Sequence, residues 1–296
     1  MTRRRHGRWR RACQLAVLAF YLALPWAGGA AVTGTMVALR LGPVDLLEPA
    51  SALSAALAAR EAGLRMLLGV APVALLAALL GPVYCSWACP YGLLSEWLDR
   101  RRPARARRWT GRPWVAARRT RALSLVALAG GSAALGLPLA ALLAPPRLVT
   151  ALPLEARVAL PAFTGALLLA LLALELWGPR RIVCRALCPA GALANLLRTR
   201  WSLRPGFDAA RCRCGAEAPC LHGCPWGVDP REMRLRDGCS TCLACLDGCP
   251  TGALFTVRKS PPGPTREPPG GAPLCHHTPP SPSSPARRNT QCLEEP

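Results

Sequence analysis

The sequence predicts an all-α integral membrane protein of four transmembrane helices, arranged as two repeated hairpins, followed by a small cysteine-rich cytoplasmic domain. Three observations predict it. Hydrophobic residues make up 51% of the 296 residues and charged residues only 18%, against the roughly 25% charged of an average soluble domain. The remaining charge is one-sided, with 37 Lys and Arg against 16 Asp and Glu and a formal net charge of +21. Of the 15 cysteines, twelve fall in tight clusters, a usage that points to metal or redox work more than to scattered core packing. A disordered basic chain is excluded because it would lack the apolar content.

Four nearly uncharged runs reach the length a helix needs to cross roughly 30 Å of hydrocarbon: residues 12–32, 66–84, 122–146 and 158–174. The first follows Arg3, Arg4 and Arg5, as a signal peptide would, but it is long and its Gly28-Gly29-Ala30-Ala31 end is a weak cleavage site, so it reads as retained. Pro25, Pro72, Pro138 and Pro161 lie inside the runs, which transmembrane helices tolerate where neighbours take up the freed carbonyls.

Arginine sets the predicted orientation, since cytoplasmic loops collect Lys and Arg. The arm 1–11, the loop from Arg100 to Arg121 and the segment from Arg180 to Arg200 are the basic ones. The other two loops offset Arg40, Arg60, Arg65, Arg147 and Arg157 with Asp45, Glu48, Glu61 and Glu155. Both termini are therefore expected in the cytoplasm. Residues 41–60 are too short to span and predict a short helix at the outer surface. Such Arg runs read as a topology signal and attraction to anionic lipid, ahead of nucleic-acid binding, so the expected partner is the lipid bilayer and no nucleic acid.

Two of the runs lead into the same motif. Cys85-Ser86-Trp87-Ala88-Cys89-Pro90-Tyr91-Gly92 and Cys184-Arg185-Ala186-Leu187-Cys188-Pro189-Ala190-Gly191 share both Cys, the Pro and the Gly at an offset of 99 residues. This is an internal repeat, a hairpin followed by C-x-x-x-C-P-x-G, used twice. Cysteines four apart on a helix share a face, so the two pairs together offer four soft ligands. The spacing leaves open an iron–sulfur or other redox metal site, a four-Cys zinc site, and thiol redox or plain packing; a disulfide is disfavoured on the reducing side of the membrane.

The strongest signal is Cys239-Ser240-Thr241-Cys242-Leu243-Ala244-Cys245-Leu246-Asp247-Gly248-Cys249-Pro250. Its C-x2-C-x2-C-x3-C-P spacing is that of bacterial ferredoxins, in which three thiolates hold corners of one 4Fe-4S cluster and the fourth serves a second. Upstream, Cys212, Cys214, Cys220, Cys224 and Pro225 repeat part of this run, with Glu217 where a central Cys is expected. Cross-ligation then predicts one cluster on Cys224, Cys239, Cys242 and Cys245, and another on Cys214, Cys220 and Cys249 completed by Cys212 or Glu217, with a three-iron cluster as the alternative there. His222 is either an exposed loop residue or a hydrogen-bond donor that tunes a cluster.

The chain thus divides into a basic arm (1–11), a four-helix membrane domain (12–200), a ferredoxin-type domain (201–258) and a Pro-rich tail (259–296) expected to be disordered. Cys275, His276, His277 and Cys292 in the tail are assigned no metal, and Cys13 reads as a small packing residue. No C-x-x-C-H, G-x-G-x-x-G or P-loop occurs, which leaves no evident site for covalent haem or nucleotide.

Four apolar runs, two C-x-x-x-C-P motifs and a pair of ferredoxin-type runs together resemble the NapH/MauN family of membrane-bound ferredoxin-type proteins, over about residues 8–258. Glu217 is the departure. The resemblance implies an electron-transfer subunit of a quinol dehydrogenase-type complex in the bacterial inner membrane, not a stand-alone enzyme, relaying electrons between quinol and ferredoxin-type or cytochrome partners. Carried across, Cys85, Cys89, Cys184 and Cys188 form the membrane-proximal redox motif, and the eight cysteines from Cys212 to Cys249 hold two clusters. Two other functions share these motifs: an assembly factor for a methylamine dehydrogenase or oxidase type enzyme, and a structural or redox-sensing metal protein. Glu175 is expected either to take a quinol proton or to sit as an interfacial carboxylate.

Overall fold

A computed structural model describes residues 5–27, 32–101, 114–157, 162–212, 214, 218–231, 233 and 237–258. Glu217 and the tail beyond Arg258 lie outside the described residues.

Helix α1 (Arg5–Ala23) begins within the arginine run and stops two residues before Pro25. A three-stranded antiparallel meander follows, β1 (Val32–Thr35), β2 (Ala38–Leu41) and β3 (Val44–Leu47), with Val32 opposite Leu41 and Leu41 opposite Val44. Gly42, at φ 57°, supplies the left-handed residue of the second turn. Glu48 then caps α2 (Pro49–Ala59), its carboxylate accepting the N–H groups of Ala50 and Ser51 at 2.9 and 2.8 Å, with Pro49 at the first helical position.

Next come α3 (Leu64–Leu80), α4 (Val83–Trp87), α5 (Pro90–Arg101) and α6 (Trp114–Leu135). Then follow the short α7 (Leu139–Leu142), α8 (Pro145–Arg157) and α9 (Ala162–Trp177). A π-helical turn (Val183–Leu187) leads into α10 (Pro189–Leu196). The cysteine-rich segment is closed by β4 (Arg204–Phe207) pairing antiparallel with β5 (Leu254–Val257), and holds the single turns α11 (Pro219–His222) and α12 (Ala244–Asp247).

The expected all-α fold with four transmembrane helices is corrected on both counts. Two small sheets are present, and among the described residues no helix is long and apolar enough to cross a membrane. The apolar runs are broken by their own punctuation. Gly81 (φ 72°) ends α3 after 17 residues, and α9 has 16, so each rises only about 25 Å. The longer α6 spends its first turns on Arg118, Arg119 and Arg121 and stops before Gly136 (φ 65°), while α1 carries Arg5, Arg8, Arg10 and Arg11. Residues 12–32 hold half a helix, a turn and the first residue of a strand. The short helix expected within 41–60 is α2, but its first turn is buried.

The helical core gathers Cys89, just before α5, with Tyr91, Leu148, Leu168 and Val183 from α5, α8, α9 and the π turn. The cysteine-rich segment packs directly on this body. Ser86 and Ser240 share a hydroxyl hydrogen bond, and Trp87 Nε1 donates to the Thr241 carbonyl at 3.2 Å. Arg198 donates to the carbonyls of Cys239 (3.0 Å) and Leu203 (2.8 Å), and Asp247 accepts the Gly7 N–H at 2.9 Å.

Candidate metal centres

The repeated motif folds into the same device twice. Its second cysteine stands immediately before a helix, the Pro starts that helix, and the Gly N–H donates back to the thiol: Gly92 N to Cys89 Sγ at 3.4 Å, and Gly191 N to Cys188 Sγ at 3.5 Å. The first cysteine lies on the preceding turn, α4 for Cys85 and the π turn for Cys184. Each pair therefore spans a break between two helical pieces, and the one-face argument from spacing does not describe it.

The structure brings Cys85, Cys89, Cys184 and Cys188 around a single cavity, which Arg121, Arg181, Asn195 and Trp226 also line. Burial holds all four thiols above the ordinary range, Cys89 at about 11 and Cys188 at about 12. Around Cys85 the neighbouring Cys188 and Cys89 add to the effect, and around Cys184 so does Glu175. Four thiols that resist ionising together need compensating positive charge. Arg121 and Arg181 supply part, and a metal centre would supply the rest.

Glu175 is 2% exposed, so it is not an interfacial carboxylate reaching for water. It accepts hydrogen bonds from Ser95 Oγ and from the Val183 N–H (3.2 Å), and so fixes the first residue of the π turn that carries Cys184.

Cys224, Cys239, Cys242 and Cys245 line one apolar pocket with Trp226, Val228, Met233 and Leu243. Thr241 and Leu243 take left-handed backbone (φ 55° and 58°), which curls the run around the pocket; Thr241 N–H donates to Cys239 Sγ and Val228 N–H to Cys224 Sγ, each at 3.4 Å. Burial, then the nearby Cys242 and Cys239, push the Cys224 thiol up to about 12.

Cys212, Cys214, Cys220 and Cys249 come together in a second core with Ala218, Leu221, Ala253 and Leu254. Here Cys249 is held below the usual thiol range. Burial opposes this, but hydrogen bonds from the Leu254, Ala253 and Thr251 N–H groups and from the Thr251 hydroxyl prevail. Cys220 is raised by burial and partly offset by Arg231. None of the described cysteines stands in a disulfide, and among the described residues no three His, Cys, Asp or Glu side chains converge on a single ion. A four-iron cube asks for something wider, because each thiolate binds a different iron. The paired quartets, buried and lined by apolar residues and inward amides, fit that demand.

A 4Fe-4S binding domain model matches residues 62–112 and 158–204, the two stretches that carry the hairpin cysteines. Over 240 residues the chain is 29% identical to the ferredoxin-type protein NapH of Escherichia coli (strain K12), covering 78% of each chain. Both matches make the chain similar to NapH-type ferredoxin-type proteins. The two matched 4Fe-4S regions and this likeness support an iron–sulfur electron-transfer protein with two clusters. No solved structure matches it.

Sequence reasoning missed Arg121, Arg181 and Trp226 as parts of the site. The two arginines were absorbed into basic runs read as topology signals, although Arg181 stands three residues before Cys184 and its non-glycine left-handed backbone (φ 53°) turns it inward. Trp226, directly after the Cys224-Pro225 pair, lines both the hairpin cavity and the Cys224 pocket. His222 lies on the single turn α11 and is exposed.

Proposed function

We propose that this chain relays electrons from quinol, through three thiol-lined centres in series, to a partner redox enzyme at a bacterial inner membrane. One cluster is held by Cys224, Cys239, Cys242 and Cys245, and the other by Cys212, Cys214, Cys220 and Cys249. Cys85, Cys89, Cys184 and Cys188 hold a further redox metal site. The observation that carries the reading is the sharing of walls. Trp226 lines both the cavity of Cys85, Cys89, Cys184 and Cys188 and the Cys224 pocket, Cys184 packs against the core that contains Cys242, and Cys245 belongs to the same core as Cys220 and Cys249.

Iron–sulfur centres supply one-electron chemistry at potentials set by burial and by hydrogen bonds to sulfur. The chain's own groups do the setting. Gly92, Gly191, Val228 and Thr241 donate backbone N–H to thiol sulfur, and Arg121 and Arg181 place positive charge beside the hairpin quartet. Lipid is the proposed neighbour of the exposed apolar faces, where Leu64 is 72%, Phe163 74% and Trp177 83% exposed.

Anaerobic purification with iron and acid-labile sulfide assays tests the ligand assignment. About eight irons are expected from two four-iron clusters, and about twelve if the hairpin quartet holds a third. Cys242→Ala should remove one cluster's paramagnetic signal, and reduced quinol should raise those signals in the wild type. Zinc without labile sulfide would overturn the reading.

A further inference from the structure

Where the start of α1 meets α5 and the cysteine-rich segment, a cleft of about 500 Å³ is lined by Arg8, Arg10, Arg11, Arg100, Arg180 and Arg181 against Glu96, Asp99 and Asp247. Positive charges outnumber negative ones two to one, and the carboxylates are already engaged. Arg10 meets both oxygens of Glu96 at 2.8 Å, Arg180 grips Asp99 at 2.7 to 2.9 Å, and Asp247 accepts from Gly7 N–H and pairs with His6 at 2.9 Å.

Arg10 and Arg181 are 5% and 3% exposed, and the buried Nε of each has no hydrogen-bond partner among the described residues. A buried guanidinium N–H left unpaired is costly, and the forked geometry of several such groups matches tetrahedral oxyanions better than a lone carboxylate. We propose that this cleft is a binding site for a phosphate-class anion. Gly223 and Pro225, which flank Cys224, and Ala244, which precedes Cys245, form its far wall, so the anion sits one residue away from two thiols of the ferredoxin-type run. Its source is either a free phosphate compound or the headgroup of an anionic lipid, since both present the same oxyanion.

The test uses the purified full chain with two probes. Inorganic pyrophosphate is titrated calorimetrically, and flotation compares vesicles of phosphatidylglycerol with vesicles of phosphatidylcholine. The side chains of Arg11 and Arg100 are 49% and 43% exposed, so Arg11→Ala and Arg100→Ala remove cleft charge without opening the core. Each should weaken binding about tenfold, the usual scale of one charge-assisted contact, with iron content unchanged. Arg200→Ala, outside the cleft, should leave binding as it is. Saturable pyrophosphate binding that depends on Arg11 and Arg100 identifies a soluble anion. A phosphatidylglycerol preference with the same dependence, and no pyrophosphate binding, identifies the lipid headgroup. Failure of the wild type to bind either probe, or binding indifferent to both substitutions, overturns the site.

Discussion

Gly92 and Gly191 occupy equivalent places in the repeat but not equivalent space. A Cβ on Gly92 would stand 2.8 Å from the Cys85 carbonyl oxygen, which is backbone and cannot yield, whereas a Cβ on Gly191 would find nothing nearer than 3.7 Å. Gly92→Ala should therefore destabilise the protein by about 1–3 kcal/mol. Gly191→Ala should be neutral or stabilising by up to about 1 kcal/mol through the stiffer unfolded chain. Thermal unfolding of the two variants reads the difference. The raised thiols make a second prediction. Cys89 and Cys188 shift from an ordinary value of 9.0 to about 11 and about 12. As pH climbs through that window the folded metal-free chain keeps protons that the unfolded chain releases, so its stability, full below about pH 9, declines toward pH 12. The metal-loaded protein should show a much smaller slope, because coordinated thiolates have no proton to lose, and melting temperatures at about pH 8 and 10.5 with and without chelation compare the two. At this scale the sequence was most legible where chemistry fixes spacing, as in the three close cysteines after Gly238. It was least legible where an ordinary residue acquires its role from position, as Arg121 and Arg181 do.

Helices and strands were legible in kind only where nothing competed with the apolar pattern. The run 12–32 reads as one span by hydropathy, yet Pro25 stops α1 and the β-branched Val32 and Thr33 open a strand that pairs with Ala38–Leu41. Hydropathy alone carries no information about such a partner, so the meander was invisible. Glu48 was read as one of the acids marking an outward loop. In the fold it is 6% exposed and caps α2 through Ala50, Ser51 and the Ser51 hydroxyl (2.8 Å), although burial raises its carboxyl against the pull of those hydrogen bonds. Glu48→Ala should cost about 1–2 kcal/mol, the upper part of the range for a lost N-cap, seen as an earlier thermal transition. Ser54, which bonds back to the Ser51 carbonyl at 2.9 Å, makes that first turn depend on the cap still further. The two copies of the hairpin motif also diverge at this level. The first presents its leading cysteine on an α turn and the second on a π turn anchored by Glu175, a difference no residue of the C-x-x-x-C-P signature announces.

At the scale of the whole molecule, helical body and cysteine-rich segment are one packed unit, joined by Ser86 with Ser240, by Trp87 with Thr241 and by Arg198 with Cys239. The repeated C-x-x-x-C-P-x-G motif places four thiols from segments 99 residues apart at one cavity. If that cavity is the entry point of the proposed relay, its cysteines act together. Single substitutions of Cys85, Cys89, Cys184 or Cys188 by Ser should each abolish reduction of the C-terminal clusters by quinol. The double substitution at Cys89 and Cys188 should cost no more than either alone, since members of one unit are not additive. Iron at Cys224 to Cys249 should persist in all of them, because those ligands lie on a different stretch of chain, so loss of cluster is separable from loss of transfer by sulfide assay alongside the rate. Wild-type reduction rates in the four single variants would show that the hairpin cavity is a structural joint and that electrons enter at the Cys224 pocket instead.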